Sequence, residues 1–113
     1  MNEIFESSVR TSGDFAGVFE FDGDVGYFYL YDTGAKDGSR IVTSVRVISG
    51  APDFSKKDVA IEWDQEQRFV GLMIKRRLWA AFDCNEKLGA GEGYVIEGIP
   101  SIPLWMAEKF DQS

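Results

Sequence analysis

With 113 residues, the chain is long enough for one domain and can bury a core of ordinary size. Its 44% hydrophobic and 14% aromatic content excludes intrinsic disorder, and its net charge of −7 disfavours binding to nucleic acid or to an anionic membrane surface. The absence of histidine and the presence of one cysteine exclude Ser–His and Cys–His nucleophile pairs, an intrachain disulfide and a structural zinc site.

The amino-terminal segment lacks the features of a targeting signal. Residues 1–10 contain two glutamates and no apolar run, unlike a signal peptide. No part of the chain approaches the roughly 18 consecutive apolar residues of a membrane helix. A lone cysteine, Cys84, fits a reducing compartment. We therefore expect a cytoplasmic protein.

The first dozen residues leave open whether a short strand forms at residues 4–9, and a β-hairpin is expected from residues 17–22 and 26–32. The turn sequence Asp22-Gly23-Asp24 between them tolerates the positive φ angles of a tight connection. Period-2 alternation in the second hairpin strand separates two sets of side chains: Tyr27, Tyr29 and Tyr31 on one face, and Phe28 and Leu30 on the other. A loop with an even number of residues would place Phe19 beside Phe28 in the core and turn the tyrosines towards water. An odd loop would reverse this, and the sequence leaves both registers open.

Five further strands are predicted. Residues 40–48 are apolar on both sides, which favours a central strand covered on both faces. Residues 58–64, 68–75 and 78–83 form a meander, and we expect a longer or bulged connection at Arg76-Arg77 because neither residue adopts positive φ readily. A loop with three glycines at 85–93 leads into a last strand at 94–97.

The carboxy-terminal segment changes from strand to helix periodicity. Residues 101–110 place four large side chains on one helical face, with Pro103 in the first turn: Ile102, Trp105, Met106 and Phe110. The whole pattern predicts a single, mainly β domain over residues 1–113. Its expected architecture is a twisted antiparallel sheet, a small sandwich or a partly closed barrel of six or seven strands with one carboxy-terminal helix.

The tyrosine stripe (Tyr27, Tyr29 and Tyr31) is the leading candidate site. Tyrosine on a sheet face offers contact area at a low entropy cost and a polar hydroxyl group, although cross-strand packing explains such a stripe as well. The acidic residues nearest to it along the chain are Asp22, Asp24 and Asp32. We assign these six residues to a candidate binding site.

Other motifs favour structural roles. Asp22, Asp24 and Gly26 resemble the start of a calcium loop, but its twelfth position is Thr33 instead of an acidic residue. Glycines 89, 91 and 93 lead into a strand, unlike a phosphate-binding loop that opens a helix. The basic cluster at residues 75–77 is interpreted as a solvated turn, and Cys84 as an inert buried thiol. No metal, cofactor or catalytic residue is expected.

Five carboxylates near aromatic residues could in principle form a hydrolytic pair: Glu20, Asp32, Glu62, Asp64 and Asp83. Each lies at a strand end or on the polar side of an alternating pattern, where solvated carboxylates are usual. A minor hydrolase that uses Asp and Glu therefore stays an alternative to a binding module.

Two stretches resemble a family of small uncharacterised bacterial proteins classed as a domain of unknown function. They are residues 17–32 (GVFEFDGDVGYFYLYD) and residues 61–94, in which a Trp-containing strand and an AxFD strand precede a glycine-rich loop. The resemblance implies a bacterial source and a β-rich single domain, and it brings no catalytic residues.

The leading functional hypothesis is a non-enzymatic interaction module of the bacterial cytoplasm. Its partner is expected to be a basic protein or a small molecule, and neither nucleic acid nor a membrane. One alternative is an immunity- or antitoxin-type inhibitor of a basic protein. The sequence carries no signal for a particular oligomeric state.

Overall fold

The fold consists of two antiparallel β-sheets and a short carboxy-terminal helix. The computed structural model describes residues 3–34, 40–49, 53–91 and 102–110. The first sheet contains β1 (Ile4–Val9), β2 (Phe15–Phe21), β3 (Val25–Asp32) and β4 (Ile41–Ser49). These strands lie side by side in the same order as in the chain. The second sheet contains, again in chain order, β5 (Val59–Trp63), β6 (Phe69–Ile74), β7 (Arg77–Asp83) and β8 (Leu88–Gly91). A 3₁₀ turn (Lys56–Asp58) precedes β5, and α1 (Leu104–Ala107) continues into a second 3₁₀ turn (Glu108–Phe110).

The mainly β prediction is confirmed, whereas the expected six or seven strands are too few. The described residues hold eight strands in two separate sheets, an arrangement that is sandwich-like and not a barrel. Strand β8 lies within the loop that the three glycines predict at residues 85–93. The strand forms because it pairs with β7. Gly89 leaves room for the Phe82 ring, since a Cβ at this position would lie 2.5 Å from that ring. The strand expected at residues 94–97 lies outside the described residues.

The two sheets pack face to face through aromatic and aliphatic side chains. Phe28 of β3 stacks on Phe82 of β7, with ring centroids 4.9 Å apart and an interplanar angle of 22°. Gly17 of β2 allows close approach to β6, because a Cβ there would lie 2.5 Å from Cγ2 of Val70. The largest fully buried side chains come from both sheets: Phe19, Phe28, Leu30, Val47, Val70, Leu72, Ile74 and Phe82. The hydrophobic core therefore lies between the sheets.

The register of the β2–β3 hairpin decides which face the tyrosines occupy. Phe19 pairs with Phe28, and Phe21 pairs with Gly26. Four residues, 22–25, separate the two members of this last pair. This is the even-numbered loop, which turns Phe19 and Phe28 inward and the tyrosines outward. Oδ1 of Asp22 accepts hydrogen bonds from the backbone N–H groups of residues 24 and 25, each at 2.9 Å, and stabilises the turn.

Among the described strands, β4 lies at the edge of the first sheet, unlike the central strand that its apolar residues predict. Its pairing with β3 shifts register twice, and the residues skipped by the ladder are Val42 and Val47. Val47 is buried, and Val42 packs against the core although its sequence position predicts the opposite face. Each bulge exchanges the sides on which odd- and even-numbered residues lie. Strand β4 can therefore bury one face and still have apolar residues at both odd and even positions.

The predicted meander of β5, β6 and β7 is confirmed. Strand β6 is apolar on both faces because its inner face meets the first sheet and its outer face lies under α1. The helix is shorter than the expected span of 101–110. Met106 is buried against Phe69, with Ile102 and Phe110 packed beside it. No helix among the described residues is long and apolar enough to span a membrane.

Trp105 is the exception to the predicted helical face. It is 54% exposed and contacts Phe69 edge-on, with ring centroids 5.7 Å apart. Neighbouring residues of an α-helix differ by about 100° in direction. With Met106 pointing at the sheet, Trp105 therefore points to the side of the helix.

The connection between β6 and β7 is a two-residue turn of Lys75 and Arg76, so the expected longer connection is wrong. Ile74 pairs directly with Arg77, and the two turn residues have φ angles of 52° and 69°. This is the left-handed conformation that primed hairpin turns demand and that Asn-Gly adopts at lower cost. A bulge does occur in the same pair of strands, but it lies at Trp79, within β7 and beyond the turn.

Replacing Arg76 by glycine should raise the free energy of unfolding by about 1 kcal/mol, because a left-handed conformation costs a residue with a Cβ roughly 1–2 kcal/mol. Urea denaturation measures the change. Arg77→Gly, at the first position of β7, is the matched control and should lower stability, since glycine weakens a strand. Equal losses in both variants would contradict this interpretation of the turn.

Replacing Gly17 by alanine should destabilise the protein by about 1–3 kcal/mol, because the new methyl group would force Val70 and the facing sheet apart. Gly34→Ala is the control, since the nearest atom to a Cβ there, Oδ1 of Asp32, is 3.7 Å away. Thermal melting of both variants checks the prediction. Similar melting temperatures for the two would show that the sheets do not approach each other closely at Gly17.

Candidate functional site

The candidate site is the outer face of the first sheet, which we call the tyrosine face. Antiparallel pairing lines up outward side chains of all four strands in rows across the sheet. The rows are Phe5–Glu20–Tyr27–Arg46, Ser7–Val18–Tyr29–Ser44 and Val9–Ala16–Tyr31–Ile41. Each predicted tyrosine therefore occupies the third position of its own row.

The tyrosine face leaves large apolar side chains in contact with water. Phe5 is 58% exposed, Val9 and Ile41 are each 55% exposed, and Tyr27 is 43% exposed. On the second sheet, α1 covers the corresponding outer face at Phe69. In the described part of the chain, no element covers the tyrosine face in this way. Within the described part of the chain, the outer face of the second sheet is therefore partly covered and that of the first sheet is open.

Hydrogen bonds hold two of the tyrosine side chains in place. The hydroxyl group of Tyr29 donates to the Glu20 carboxylate, and the Arg40 guanidinium donates to the hydroxyl oxygen of Tyr31 at 3.0 Å. The rings of Tyr29 and Tyr31 lie 6.4 Å apart at an angle of 52°. Burial, followed by the bond to Glu20, raises the pKa of Tyr29 above its ordinary value. Tyr29 is therefore a neutral donor at physiological pH.

The structure does not gather the three predicted aspartates around the tyrosines. Asp22 and Asp24 lie in the β2–β3 turn, beyond Tyr27, whereas Asp32 lies at the opposite end of β3, after Tyr31. Asp32 is occupied locally, since its Oδ1 accepts a hydrogen bond from the backbone of residue 34 at 3.0 Å. The aspartates thus flank the two ends of the face and do not surround its centre.

Sequence reasoning missed several members of the site. Glu20 is the carboxylate within the face, and Phe5, Val9 and Ile41 supply much of its exposed apolar surface. The signal was the period of two in β1 and β2, where residues 5, 7 and 9 share a side with residues 16, 18 and 20. It could be used only once the pairing of β1 with β2 was known, because neither strand alone shows which side faces outward.

The carboxylates considered for hydrolysis have other roles or lie apart. Oδ1 of Asp64 accepts backbone hydrogen bonds from residues 68 and 69, at 2.9 and 2.8 Å, in the β5–β6 turn. Asp83 forms a two-point ion pair with Arg68, at 3.0 and 2.8 Å, which lowers its pKa. Glu20 and Glu62 are exposed on strands of different sheets. This arrangement does not favour a catalytic pair.

The thiol of Cys84 is buried, and desolvation by burial raises its pKa to about 11. A thiol with such a pKa stays protonated near neutral pH and is a poor nucleophile. Among the described residues, no group of three or more Cys, Asp or Glu side chains is arranged to hold a metal ion.

The Arg68–Asp83 pair should make stability depend on pH in a defined direction. Because the folded-state pKa of Asp83 is depressed, its contribution is present above the unfolded-state pKa of about 3.9 and is lost as the pH falls through the folded-state pKa. Asp83→Asn should therefore cost about 1–3 kcal/mol at pH 7 and less below pH 4. Urea denaturation at several pH values measures this. Asp24→Asn, in the exposed turn, is the control, and a cost for Asp83→Asn that is constant down to pH 2.5 would contradict the assignment.

Comparison with known proteins identifies the family. The family model described as an uncharacterized protein conserved in bacteria (DUF2251) matches residues 2–109. No curated protein and no solved structure matches the chain. The match confirms the resemblance seen in residues 17–32 and 61–94, and the chain belongs to the bacterial DUF2251 family.

Proposed function

We propose that this protein is a non-enzymatic, protein-binding module of the bacterial cytoplasm and that the tyrosine face is its binding surface. One observation carries the proposal: four large apolar side chains, between 43% and 58% exposed, lie on a sheet face that no described element covers. They are Phe5, Val9, Tyr27 and Ile41. Large exposed apolar surface is typical of interaction sites.

The chemistry of the face suits a protein partner. Tyrosine is enriched at binding hot spots because its ring buries much area for the loss of only two side-chain torsions. Tyr29 and Tyr31 are already held by hydrogen bonds to Glu20 and Arg40, so their ordering costs little on binding. A protein partner can contact the whole width of the face, whereas a small molecule generally needs a site that encloses most of its surface.

Charge selects the class of partner. A net charge of −7 steers positively charged proteins towards this chain and repels nucleic acid and anionic membranes. We therefore propose a basic protein as the partner. An immunity- or antitoxin-type inhibitor would be a special case in which the basic partner is an enzyme that the complex silences, and the same charge supports it.

Tyr27→Ala tests the role of the face. Tyr29, at its centre, is half-buried and bonded to Glu20, so the more exposed Tyr27 separates binding from folding better. A partner is captured from the source bacterium with the wild-type protein, identified and purified. Its affinity is then measured calorimetrically at low and high salt. We expect Tyr27→Ala to weaken the complex by on the order of 2 kcal/mol and salt to weaken it further.

Trp105→Ala is the matched control, since Trp105 is a similarly exposed aromatic residue on the side of the molecule that carries α1. It should change the affinity by less than about twofold, within the range of contacts outside an interface. Equal affinity of the wild-type and Tyr27→Ala proteins, or a loss confined to Trp105→Ala, would refute the proposal. So would a partner whose binding does not respond to salt.

A further inference from the structure

We propose that the partner inserts a basic side chain, arginine or lysine, into a cleft at the Tyr27 end of the tyrosine face. This inference rests on the proposed function and specifies what the surface recognises. The cleft has a volume of about 580 Å³ and lies where β1 meets the β2–β3 hairpin. Two exposed aromatic rings and four charged side chains contribute to its lining: Phe5, Tyr27, Glu3, Glu20, Asp22 and Lys56.

The first row of the tyrosine face supplies the central recognition group. Glu20 on β2 pairs with Phe5 on β1 and with Tyr27 on β3, so its carboxylate stands between two exposed aromatic side chains. Directly paired residues in an antiparallel sheet have Cβ atoms about 4.5–5.5 Å apart, so one cationic group can contact all three. A carboxylate flanked by rings attracts a cation both by its charge and through the ring quadrupoles.

The hydrogen bond from Tyr29 leaves this carboxylate able to bind a cation. The Tyr29 hydroxyl group donates to Oε1 of Glu20, so Oε2 can accept from a second donor. Guanidinium groups present several donors in a plane and also stack on aromatic rings, which suits a site with rings on two sides of an acceptor. The bond also orients the Glu20 side chain before the partner arrives.

The surroundings of the cleft are acidic. Its charged lining residues are three acids, Glu3, Glu20 and Asp22, and one amine, that of Lys56, which forms an ion pair with Glu6 at 3.9 Å. Arg46 follows Tyr27 in the same row of the face. The backbone hydrogen bonds that Asp22 accepts in its turn lower its pKa, so it remains charged well below neutral pH. The local charge of the cleft therefore has the same sign as the net charge of the chain, and a cation gains from both.

Two capped tripeptides that differ only in charge test this inference. Acetyl-Gly-Arg-Gly-amide and its neutral citrulline analogue are each titrated into the ¹⁵N-labelled full chain and followed by NMR. We expect saturable shifts at the amides of residues 5, 20 and 27 with arginine, and none with citrulline. Glu20→Gln keeps the acceptor for Tyr29 and should raise the Kd about fivefold. Phe5→Leu should raise it about two- to fivefold.

Glu62→Gln is the matched control, because Glu62 is also an exposed strand glutamate but lies on the second sheet. It makes the same change in net charge and should alter the Kd less than twofold. The proposed site for a basic side chain would be refuted by any of three results. These are shifts spread over the whole surface, equal shifts with the arginine and citrulline peptides, or equal effects of the two Gln variants on the Kd. Thermal melting verifies that each variant is folded.

The two proposals can fail separately. If Tyr27→Ala disrupts the protein complex while Glu20→Gln leaves it intact and the arginine peptide does not bind, the tyrosine face is a binding surface without a cation site. If the arginine peptide binds in the cleft and Glu20→Gln weakens it, the cleft is supported even where no protein partner requires Tyr27. In that case only the proposed function is lost.

Discussion

The packing of the two sheets against each other is the constraint on which the rest of the structure depends. Gly17 brings β2 within van der Waals reach of Val70 on β6, and Phe28 stacks on Phe82 a strand further along. These contacts determine which parity of each strand points inward. The outward positions of the strands without a bulge, including the tyrosines of β3, follow from them because side chains alternate along a regular strand.

A sandwich of two sheets has two outer faces, and in this chain they differ in how far other elements cover them. The short helix α1 covers part of the second sheet at Phe69, and its own packing depends on Met106. The first sheet has no such cover among the described elements, so the apolar positions of its outer face remain available. Burial of apolar surface drives association as it drives folding, which is why we propose the open face as the binding surface.

The acidic residues divide into two groups with different consequences. Asp22, Asp64 and Asp83 accept backbone hydrogen bonds in turns, and their role is to stabilise the connections between strands. Glu20 instead stands on a strand between two exposed rings, where its charge can act on a partner. The net charge of −7 thus does not measure the charge available for recognition, since part of it is already engaged within the fold.

The sequence by itself determined the β class, most strand positions, the hairpin turn at Asp22 and the family, because alternation and turn chemistry are local properties. Tertiary structure decided the rest. The number of residues in the loop after Phe21 set the side on which the tyrosines lie. Two bulges gave β4 the apolar pattern of a central strand, although it lies at the edge of the first sheet among the described strands. Pairing with β7 made a strand of glycine-rich β8. Only pairing between strands brought Phe5 and Glu20 beside Tyr27, because neighbours across a sheet are distant in sequence and leave no local pattern.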